Sequence, residues 1–412
     1  MSLWKLLLDR RMSQTIRKGR LEIAYPDGSF RCYAGDARSG LAIRINSERW
    51  LRRIILDPEL AFGEAYMEGG VEIDSGDIYD LLELIWANFL TPAGKRRSAP
   101  AFVRRSLRFL SQLNLPSRAR QNASHHYDIG NEFYRLFLDE DLQYSCALHE
   151  NPNATLEDAQ LAKKNAISKK LLIEPNHSVL DIGCGWGGLA LHLAGHDQAR
   201  VEGITLSAQQ LNAAKARAKK ERLDGRVRFH LEDYRRITDQ YDRIVSVGMF
   251  EHVGAPYFQE YFDQISRLLR QDGIALIHTI GRSHGPDATN PWIAKYIFPG
   301  GYIPALSEIM PAIERAGLYV LDIEVLRLHY AETLKEWRRR FHENAAAAER
   351  LFDSRFVRMW DFYLAGSELS FRYGDHAVFQ IQLAKRQDAT PLTRRYLYED
   401  ADQTEVPVAA CA

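Results

Sequence analysis

From about residue 125 to residue 390, short apolar runs alternate with longer stretches in which apolar residues recur at helical spacing. Strands that alternate with helices in this way are typical of a doubly wound, mostly parallel sheet. The pattern therefore predicts an α/β fold for this part of the chain. The apolar runs predict six strands, at 178–182, 200–204, 227–231, 243–247, 274–279 and 320–326.

The first 90 residues follow a different pattern. Strand-like runs at 21–25 and 29–33 flank a Pro-Asp-Gly turn, which predicts a hairpin. No catalytic arrangement of residues is recognisable here, so we interpret residues 1–90 as a small α+β docking domain. Further elements are expected as a strand at 41–45 and as helices at 47–56 and 77–89.

Residues 91–124 form a strongly basic segment. This segment contains eight Lys and Arg residues and no Asp or Glu, so its charge is +8, and apolar residues are interleaved at loosely helical spacing. A basic amphipathic helix suits anionic lipid headgroups. A solvated linker between domains explains the same residues, and the sequence leaves both interpretations open. Residues 401–412 are interpreted as a tail.

Composition narrows the class of protein. The chain has 412 residues, enough for two or three domains, and its 46% hydrophobic and 26% charged residues exclude a largely disordered protein. Lys plus Arg and Asp plus Glu both number 54, so the formal net charge is zero. Neutrality weighs against a nucleic-acid-binding protein. The four cysteines are too few and too scattered for a disulfide framework or a zinc site, so we expect no metal.

The chain shows no targeting signal. No apolar stretch approaches the roughly 20 residues of a spanning helix, and the N-terminus lacks the apolar core of a signal peptide. We expect a cytoplasmic protein that does not cross a membrane but lies on its inner face.

A glycine-rich string, VLDIGCGWGG at 179–188, follows the first predicted strand of the large sheet. Glycines at such a turn let the backbone approach a ligand closely. Asp181 precedes the turn and no G-x-G-x-x-G is present, which favours S-adenosylmethionine over a nicotinamide dinucleotide. Asp233, after the third strand, could accept a hydrogen bond from an adenine amino group, or it is only a turn residue. Gln210 belongs to an S-x-x-Q capping pattern and could also contact the ribose.

Several strings together resemble the cyclopropane-fatty-acid synthase family over about residues 55–385. The strings lie at 126–134, 143–147, 181–188, 205–210, 245–254, 277–281 and 328–330. The resemblance implies a Rossmann-like class I methyltransferase domain at 125–400 and an N-terminal domain that engages lipid. It also implies methylene transfer from S-adenosylmethionine to a cis double bond of a phospholipid acyl chain, giving a cyclopropane ring, with bicarbonate bound in the active site. A homodimer is expected on the same ground.

The family's functional residues carry over to specific positions of this chain. The side chains of Glu251, His278 and Tyr330, with the backbone at Cys146 and Ile280, would hold bicarbonate. A thiol nucleophile at Cys146 is the less favoured alternative. One departure is that Ser367 stands where many members have cysteine. The cofactor would contact Tyr144, Ser145, Gly183, Gly185, Gly187, Thr205, Leu206, Gln210, Glu232 and Asp233.

The chemistry requires a base in a dry site. Methylation of an alkene leaves a carbocation, and a proton must leave the new methyl group before the ring can close. Residues 281–305, rich in Gly, Pro and aromatic residues, are interpreted as a lid or acyl-chain wall. Alternatives on the same scaffold are a fatty-acid C-methyltransferase giving a methyl-branched or methylene chain and a small-molecule N-methyltransferase. A nucleic-acid methyltransferase and a non-catalytic lipid-binding protein are less favoured.

Overall fold

The computed structural model describes residues 2–34, 40–89, 112 and 129–398. Except for residue 112, the basic segment predicted at 91–124 lies outside the described residues. The tail at 401–412 and the start of the 126–134 motif lie outside them as well.

The N-terminal part contains its own four-stranded sheet, in the order β2-β1-β3-β4. The predicted hairpin is confirmed, because β1 and β2 pair antiparallel, whereas β1 and β3 pair in parallel. The Ser47 hydroxyl accepts from the Trp50 amide and caps α2. Helices α1 and α3 and strand β4 were not predicted. The strands are β1 Arg20–Ala24, β2 Phe30–Ala34, β3 Gly40–Ile45 and β4 Val71–Ser75, and the helices are α1 Leu3–Thr15, α2 Glu48–Leu56, α3 Pro58–Met67 and α4 Ile78–Phe89.

The larger sheet has seven strands in the order β10-β11-β9-β8-β5-β6-β7. Strands β5 to β9 are mutually parallel, and only β11 runs antiparallel to its neighbours β9 and β10. The predicted mostly parallel α/β sheet is therefore confirmed. The strands are β5 Ser178–Ile182, β6 Arg200–Thr205, β7 Val227–Leu231, β8 Tyr241–Val247, β9 Leu269–Arg282, β10 Tyr319–Leu326 and β11 His376–Ala384.

The prediction of this sheet was incomplete at one side. Strand β11 was not predicted, and β9 extends beyond the predicted 274–279 at both ends. Both faces of β11 are covered, because all its residues after His376 are buried, Gln380 and Gln382 included. Two glutamines inside an otherwise apolar strand therefore need internal hydrogen-bond partners.

Helices cover the large sheet and connect it to the N-terminal domain. Helix α14 packs against α3 and α4, and the short α10 also packs against α3. In the part of the chain described here, no helix has the length and apolar character needed to span a membrane. The helices are α5 Asn131–Tyr134, α6 Leu156–Leu171, α7 Gly188–Gly195, α8 Ala208–Lys220, α9 Phe258–Leu268, α10 Pro291–Tyr296, α11 Leu306–Arg315, α12 His329–Glu343, α13 Ala345–Leu351 and α14 Ser354–Arg372.

The topology determines where a ligand can bind. Strand β5 lies between β6 and β8, so the chain leaves β5 at the point where the strand order reverses. In open α/β sheets, ligands bind at this switch point, beyond the carboxyl ends of the strands. The glycine-rich turn after β5 lies at this position.

Candidate active site

A pocket lies at the carboxyl ends of β5, β6, β7 and β8. The structure brings nine of the ten predicted cofactor residues into its lining. Gly187 is the exception. The nine are Tyr144, Ser145, Gly183, Gly185, Thr205, Leu206, Gln210, Glu232 and Asp233.

The glycines of the glycine-rich turn have positive φ angles, a conformation that is strained for residues with a Cβ atom. Gly183, Gly185 and Gly187 have φ angles of 85°, 54° and 84°. A Cβ on Gly183 would lie 3.0 Å from the Cβ of Met249, which also lines the pocket. A Cβ on Gly187 would lie 2.7 Å from the Phe229 ring, so helix packing explains this glycine without a ligand.

The loop after β6 is held by hydrogen bonds between its own side chains. The Ser207 hydroxyl accepts from the Gln210 amide and caps α8, as the capping pattern predicts. The Gln210 side chain does not complete a capping box, because its Oε1 accepts from the Thr205 hydroxyl at 2.9 Å. That bond leaves the side-chain nitrogen of Gln210 as a donor in a pocket-lining residue.

The carboxylate of Asp233 is strongly engaged. It caps a 3-10 turn by accepting from the Arg235 amide at 3.1 Å, and it forms an ion pair with the Arg235 guanidinium. Burial alone would raise the pKa of Asp233, but these bonds outweigh it and lower that pKa. Asp233 is thus ionised and accepts hydrogen bonds at the pocket wall. It can cap the turn and also make the predicted contact with the adenine amino group.

Asp181, at the end of β5, is the pocket-lining residue that most clearly requires a ligand. Its Oδ2 atom is buried and has no hydrogen-bond partner among the described residues. Burial raises the pKa of Asp181 to about 7. A buried carboxyl oxygen without a partner is costly, and a donor such as the ammonium group of S-adenosylmethionine would satisfy it. The pocket therefore fits this cofactor.

Lys163, on α6, holds the 143–145 loop against the pocket. Its side chain is completely buried, and its ammonium nitrogen lies 2.6 Å from Gln143 Oε1 and 2.8 Å from Ser145 Oγ. Burial lowers the pKa of Lys163 to about 8. The sequence analysis missed this residue, because a lysine among other lysines on a helix normally belongs to a solvated face.

The five predicted bicarbonate residues do not line this pocket, but two of them adjoin it in the chain. Ser145 and His252, which do line it, are chain neighbours of Cys146 and Glu251. The Ile280 amide donates to Glu251 Oε1 at 2.6 Å, so these two predicted residues bond each other. Glu251 Oε2 is buried, and no residue in the described part of the chain forms a hydrogen bond with it. Burial raises the pKa of Glu251 to about 7, although the bond from the Ile280 amide opposes the shift.

The remaining predicted residues surround the same buried region. Cys146 and Tyr330 belong to one cluster of packed apolar residues, with Ile280 against it. His278 is 2% exposed, and its Nδ1 lies 3.0 Å from Gln380 Nε2. Burial, reinforced by the charge of Lys163, holds the pKa of His278 well below its usual value, so its ring is neutral.

The environment of Cys146 does not support a thiol nucleophile. The thiol is buried, and burial raises its pKa far above neutral pH. Its Sγ lies 3.3 Å from the Ala147 carbonyl oxygen, to which it donates. A nucleophilic cysteine needs a thiolate, which this environment disfavours.

The segment predicted as a lid, 281–305, is an ordered connection that includes helix α10. Trp292 of this helix is buried, and its Nε1 lies 3.2 Å from the sulfur of Met67 in the N-terminal domain. Lys295 and Tyr296 both donate to the buried carboxylate of Glu64. Pro299 of the same segment lines the pocket. Through α10, the N-terminal domain therefore contacts the segment that supplies Pro299 to the pocket wall.

The strand order, the glycine turn at the switch point and the pocket beside it define a class I S-adenosylmethionine-dependent methyltransferase. Comparison with known proteins gives the narrower assignment. The family described as mycolic acid cyclopropane synthetase matches residues 115–381, more than half of the chain. The chain belongs to this family, and the resemblance inferred from the sequence is confirmed. A domain family of unknown function matches residues 7–91.

Individual relatives agree with this assignment. The cyclopropane-fatty-acyl-phospholipid synthase of Escherichia coli K12 is 36% identical over 88% of this chain and 96% of that protein. The tuberculostearic acid methyltransferase of Mycobacterium tuberculosis is 33% identical over 92% of this chain and 91% of that protein. A solved mycolic acid cyclopropane synthase in complex with S-adenosylhomocysteine and CTAB has a TM-score of 0.61 at 32% identity, over 64% of this chain and 97% of its own.

Proposed function

We propose that this enzyme transfers a methylene group from S-adenosylmethionine to a cis double bond in a phospholipid acyl chain, forming a cyclopropane ring, with bound bicarbonate as the base. The buried carboxyl group of Glu251 is the observation that carries the proposal. One of its oxygens accepts from the Ile280 amide, and the other has no partner within residues 2–34, 40–89, 112 and 129–398. Its pKa of about 7 suits proton uptake and release near neutral pH.

S-adenosylmethionine, when bound, supplies an electrophilic methyl group on sulfur. The alkene π electrons form the new bond to the methyl carbon, and the S–CH3 bond breaks with its electrons left on sulfur, so that S-adenosylhomocysteine is the leaving group. The other alkene carbon becomes cationic. A proton must leave the new methyl group so that the ring can close, and water must be kept away from the cation. The burial of Glu251 and of His278 supports such a dry site for the proton.

The proposed roles of the residues follow from what each presents. The nine pocket-lining residues and Asp181 would hold the cofactor, while Gly187 remains a predicted contact. Bicarbonate would be held by Glu251, His278 and Tyr330 and would supply a small base there. The Cys146 and Ile280 backbones complete the proposed set. The Ile280 amide already donates to Glu251 Oε1. We therefore expect bicarbonate either to form a hydrogen bond with Glu251 Oε2 or to replace Glu251 as the acceptor of the Ile280 amide.

The lipid-engaging role proposed for the N-terminal domain has support in α1. Leu3, Leu6 and Leu7 lie on one face of this helix and are 63%, 46% and 41% exposed, and Arg10 follows them on the same face. Exposed leucines beside an arginine suit the boundary between acyl chains and anionic headgroups. We propose that α1, together with the basic segment, places the enzyme on the inner membrane face.

The domain boundaries and the assembly are also proposals. We propose a lipid-engaging domain at 1–90, a basic linker at 91–124, a catalytic domain at 125–400 and a tail at 401–412, in a homodimer. Two separate sheets and two family matches, at 7–91 and 115–381, support this division.

The experiment combines the purified enzyme, S-adenosylmethionine and vesicles of cis-unsaturated phospholipid, with and without added bicarbonate. We expect each converted acyl chain to gain one CH2 and the rate to rise with bicarbonate. Conversion of a small amine instead of the lipid would favour an N-methyltransferase. A rate that does not change with bicarbonate would contradict its proposed role as the base.

A further inference from the structure

The Nδ1 side of the His278 ring is hydrogen-bonded to Gln380. The two residues face each other in register on β9 and β11, and both side chains are almost completely buried. The Nε2 atom of Gln380 lies 3.0 Å from the Nδ1 atom of His278. Which of the two atoms carries the shared hydrogen depends on the orientation of the Gln380 amide and on the histidine tautomer.

Lys170 determines the orientation of that amide. The Lys170 ammonium group, on α6, contacts the Oε1 atom of Gln380 and the carboxylate of Glu324 on β10. An ammonium group can only donate, so the amide oxygen of Gln380 must face Lys170. The amide nitrogen of Gln380 then faces His278 and donates to its Nδ1.

A neutral imidazole that accepts at Nδ1 carries its hydrogen at Nε2. Burial, together with the charges of Lys163 and Lys170, keeps the ring neutral by lowering the pKa of His278. The chain Glu324–Lys170–Gln380–His278 therefore selects one tautomer and leaves Nε2–H as the donor that His278 presents.

We propose that Gln380 and Lys170 are positioning residues that hold His278 in the Nε2–H form, so that it donates a hydrogen bond to a small oxyanion. The inference rests on the proposed function in taking that oxyanion to be bicarbonate. In the other tautomer, Nε2 would be a lone-pair acceptor and would repel an anion. Gln380 and Lys170 would thus act on the reaction only through His278.

The first test observes the tautomer directly. In the full-length enzyme labelled with 15N-histidine, NMR distinguishes protonated from unprotonated ring nitrogens, and the His278→Asn variant identifies the signal among the 13 histidines. We expect Nε2 protonated and Nδ1 unprotonated in the wild type. In Gln380→Met and Lys170→Met the tautomers should mix. A wild-type ring protonated at Nδ1 would overturn the inference.

Gln382→Met is the matched control. Gln382 lies two residues along the same strand and is equally buried, but it bonds the Lys170 carbonyl oxygen and Tyr396 instead of His278. Its loss should cost stability to a similar degree and leave the His278 tautomer unchanged. If Gln382→Met changed the tautomer as much as Gln380→Met, the change would reflect a general loss of packing around β11, and the inference would fail.

The second test measures the bicarbonate concentration that gives half-maximal activation. In Gln380→Met it should rise about tenfold or more, because a hydrogen bond to a charged group is lost, whereas Gln382→Met should retain the wild-type value. An unchanged value in Gln380→Met would contradict the role in anion binding. If the wild type itself fails to respond to bicarbonate, the proposed function fails at that point, while the NMR result still decides the tautomer.

Discussion

The ammonium nitrogen of Lys163 lies 2.8 Å from the hydroxyl oxygen of Ser145, and the whole lysine side chain is buried. This bond joins helix α6 to the loop that lines the cofactor pocket on one side and continues to Cys146 on the other. A buried cation is costly, so its retention beside two neutral acceptors indicates that it organises this loop.

Replacing Lys163 with methionine keeps most of the length of the side chain and removes its hydrogen bonds. Gln143 and Ser145 would lose a buried donor, and the pocket wall that they form would become less ordered. We expect the affinity for S-adenosylhomocysteine, measured by calorimetry, to fall about tenfold. Lys169→Met, a half-buried position on the same helix, is the control. Equal affinities for the two variants would contradict the role assigned to Lys163.

Replacing Glu251 with glutamine should abolish turnover but stabilise the fold at alkaline pH. Burial raises the pKa of Glu251 from 4.5 to about 7, so the wild type loses stability as the pH rises through this range and the carboxyl ionises. A glutamine cannot ionise. As the pH rises from 5 to 8, the free energy of unfolding of Glu251→Gln should increase by about 2 kcal/mol relative to that of the wild type. Chemical denaturation at several pH values measures it.

Glu314→Gln provides the control for this experiment, because Glu314 is exposed on α11. Its stability should follow that of the wild type at every pH. A pH-independent difference between Glu251→Gln and the wild type would show that the carboxyl of Glu251 does not have the raised pKa.

Glu64 connects the N-terminal domain to the wall of the active site. Its buried carboxylate accepts from Lys295 at 2.7 Å and from Tyr296 at 2.9 Å, both on α10, and pairs with Arg53. Glu64→Gln should lower the free energy of unfolding by about 1–3 kcal/mol and reduce lipid turnover while S-adenosylhomocysteine still binds. Glu72→Gln breaks an exposed ion pair with Arg44 and should change little. Equal thermal stability of both variants would contradict the role of Glu64 in joining the N-terminal domain to α10.

The hydrogen bonds to Glu64 also determine whether the stability of the fold rises or falls with pH. Burial alone would raise the pKa of Glu64, but its three donors outweigh burial and lower that pKa. Their contribution to stability is therefore present above the ordinary glutamate pKa and is lost as the pH falls through the folded value.

The exposed leucines of α1 should act in membrane binding. Changing Leu3, Leu6 and Leu7 together to serine removes apolar surface that is already exposed, so the fold should keep its stability. We expect sedimentation with vesicles containing phosphatidylglycerol to weaken at least tenfold, an effect of about 1.4 kcal/mol or more. Leu392→Ser changes an exposed leucine outside α1 and should not alter binding. Undiminished binding of the triple variant would exclude α1 as the contact surface.

The cofactor pocket could be predicted from the sequence because its residues follow the strands directly. The carboxyl ends of β5, β6 and β7 place Gly183, Thr205 and Glu232 together once the sheet is parallel. The hydrophobic pattern predicted the parallel sheet, which the structure and solved relatives confirm, whereas the cofactor role of these three residues was implied by the family resemblance.

Lys163 and Gln380 could not be found in the same way. Lys163 is a lysine in a helix, and only tertiary packing shows that it points inward. Gln380 meets His278 across 102 residues of chain, through a strand that was not predicted. Polar residues that bond each other inside a core have no local signature, because their partners are set by strand register and helix orientation.

The most direct test of the central proposal identifies the product formed from S-adenosylmethionine whose methyl group carries three deuterium atoms. Ring formation removes one of them as a proton equivalent, so each converted acyl chain should retain two, and the product made without deuterium should show the upfield NMR signals of a cyclopropane. Retention of all three deuterium atoms, or vinyl signals in the product, would contradict cyclopropane formation and indicate a methyl-branched or methylene chain.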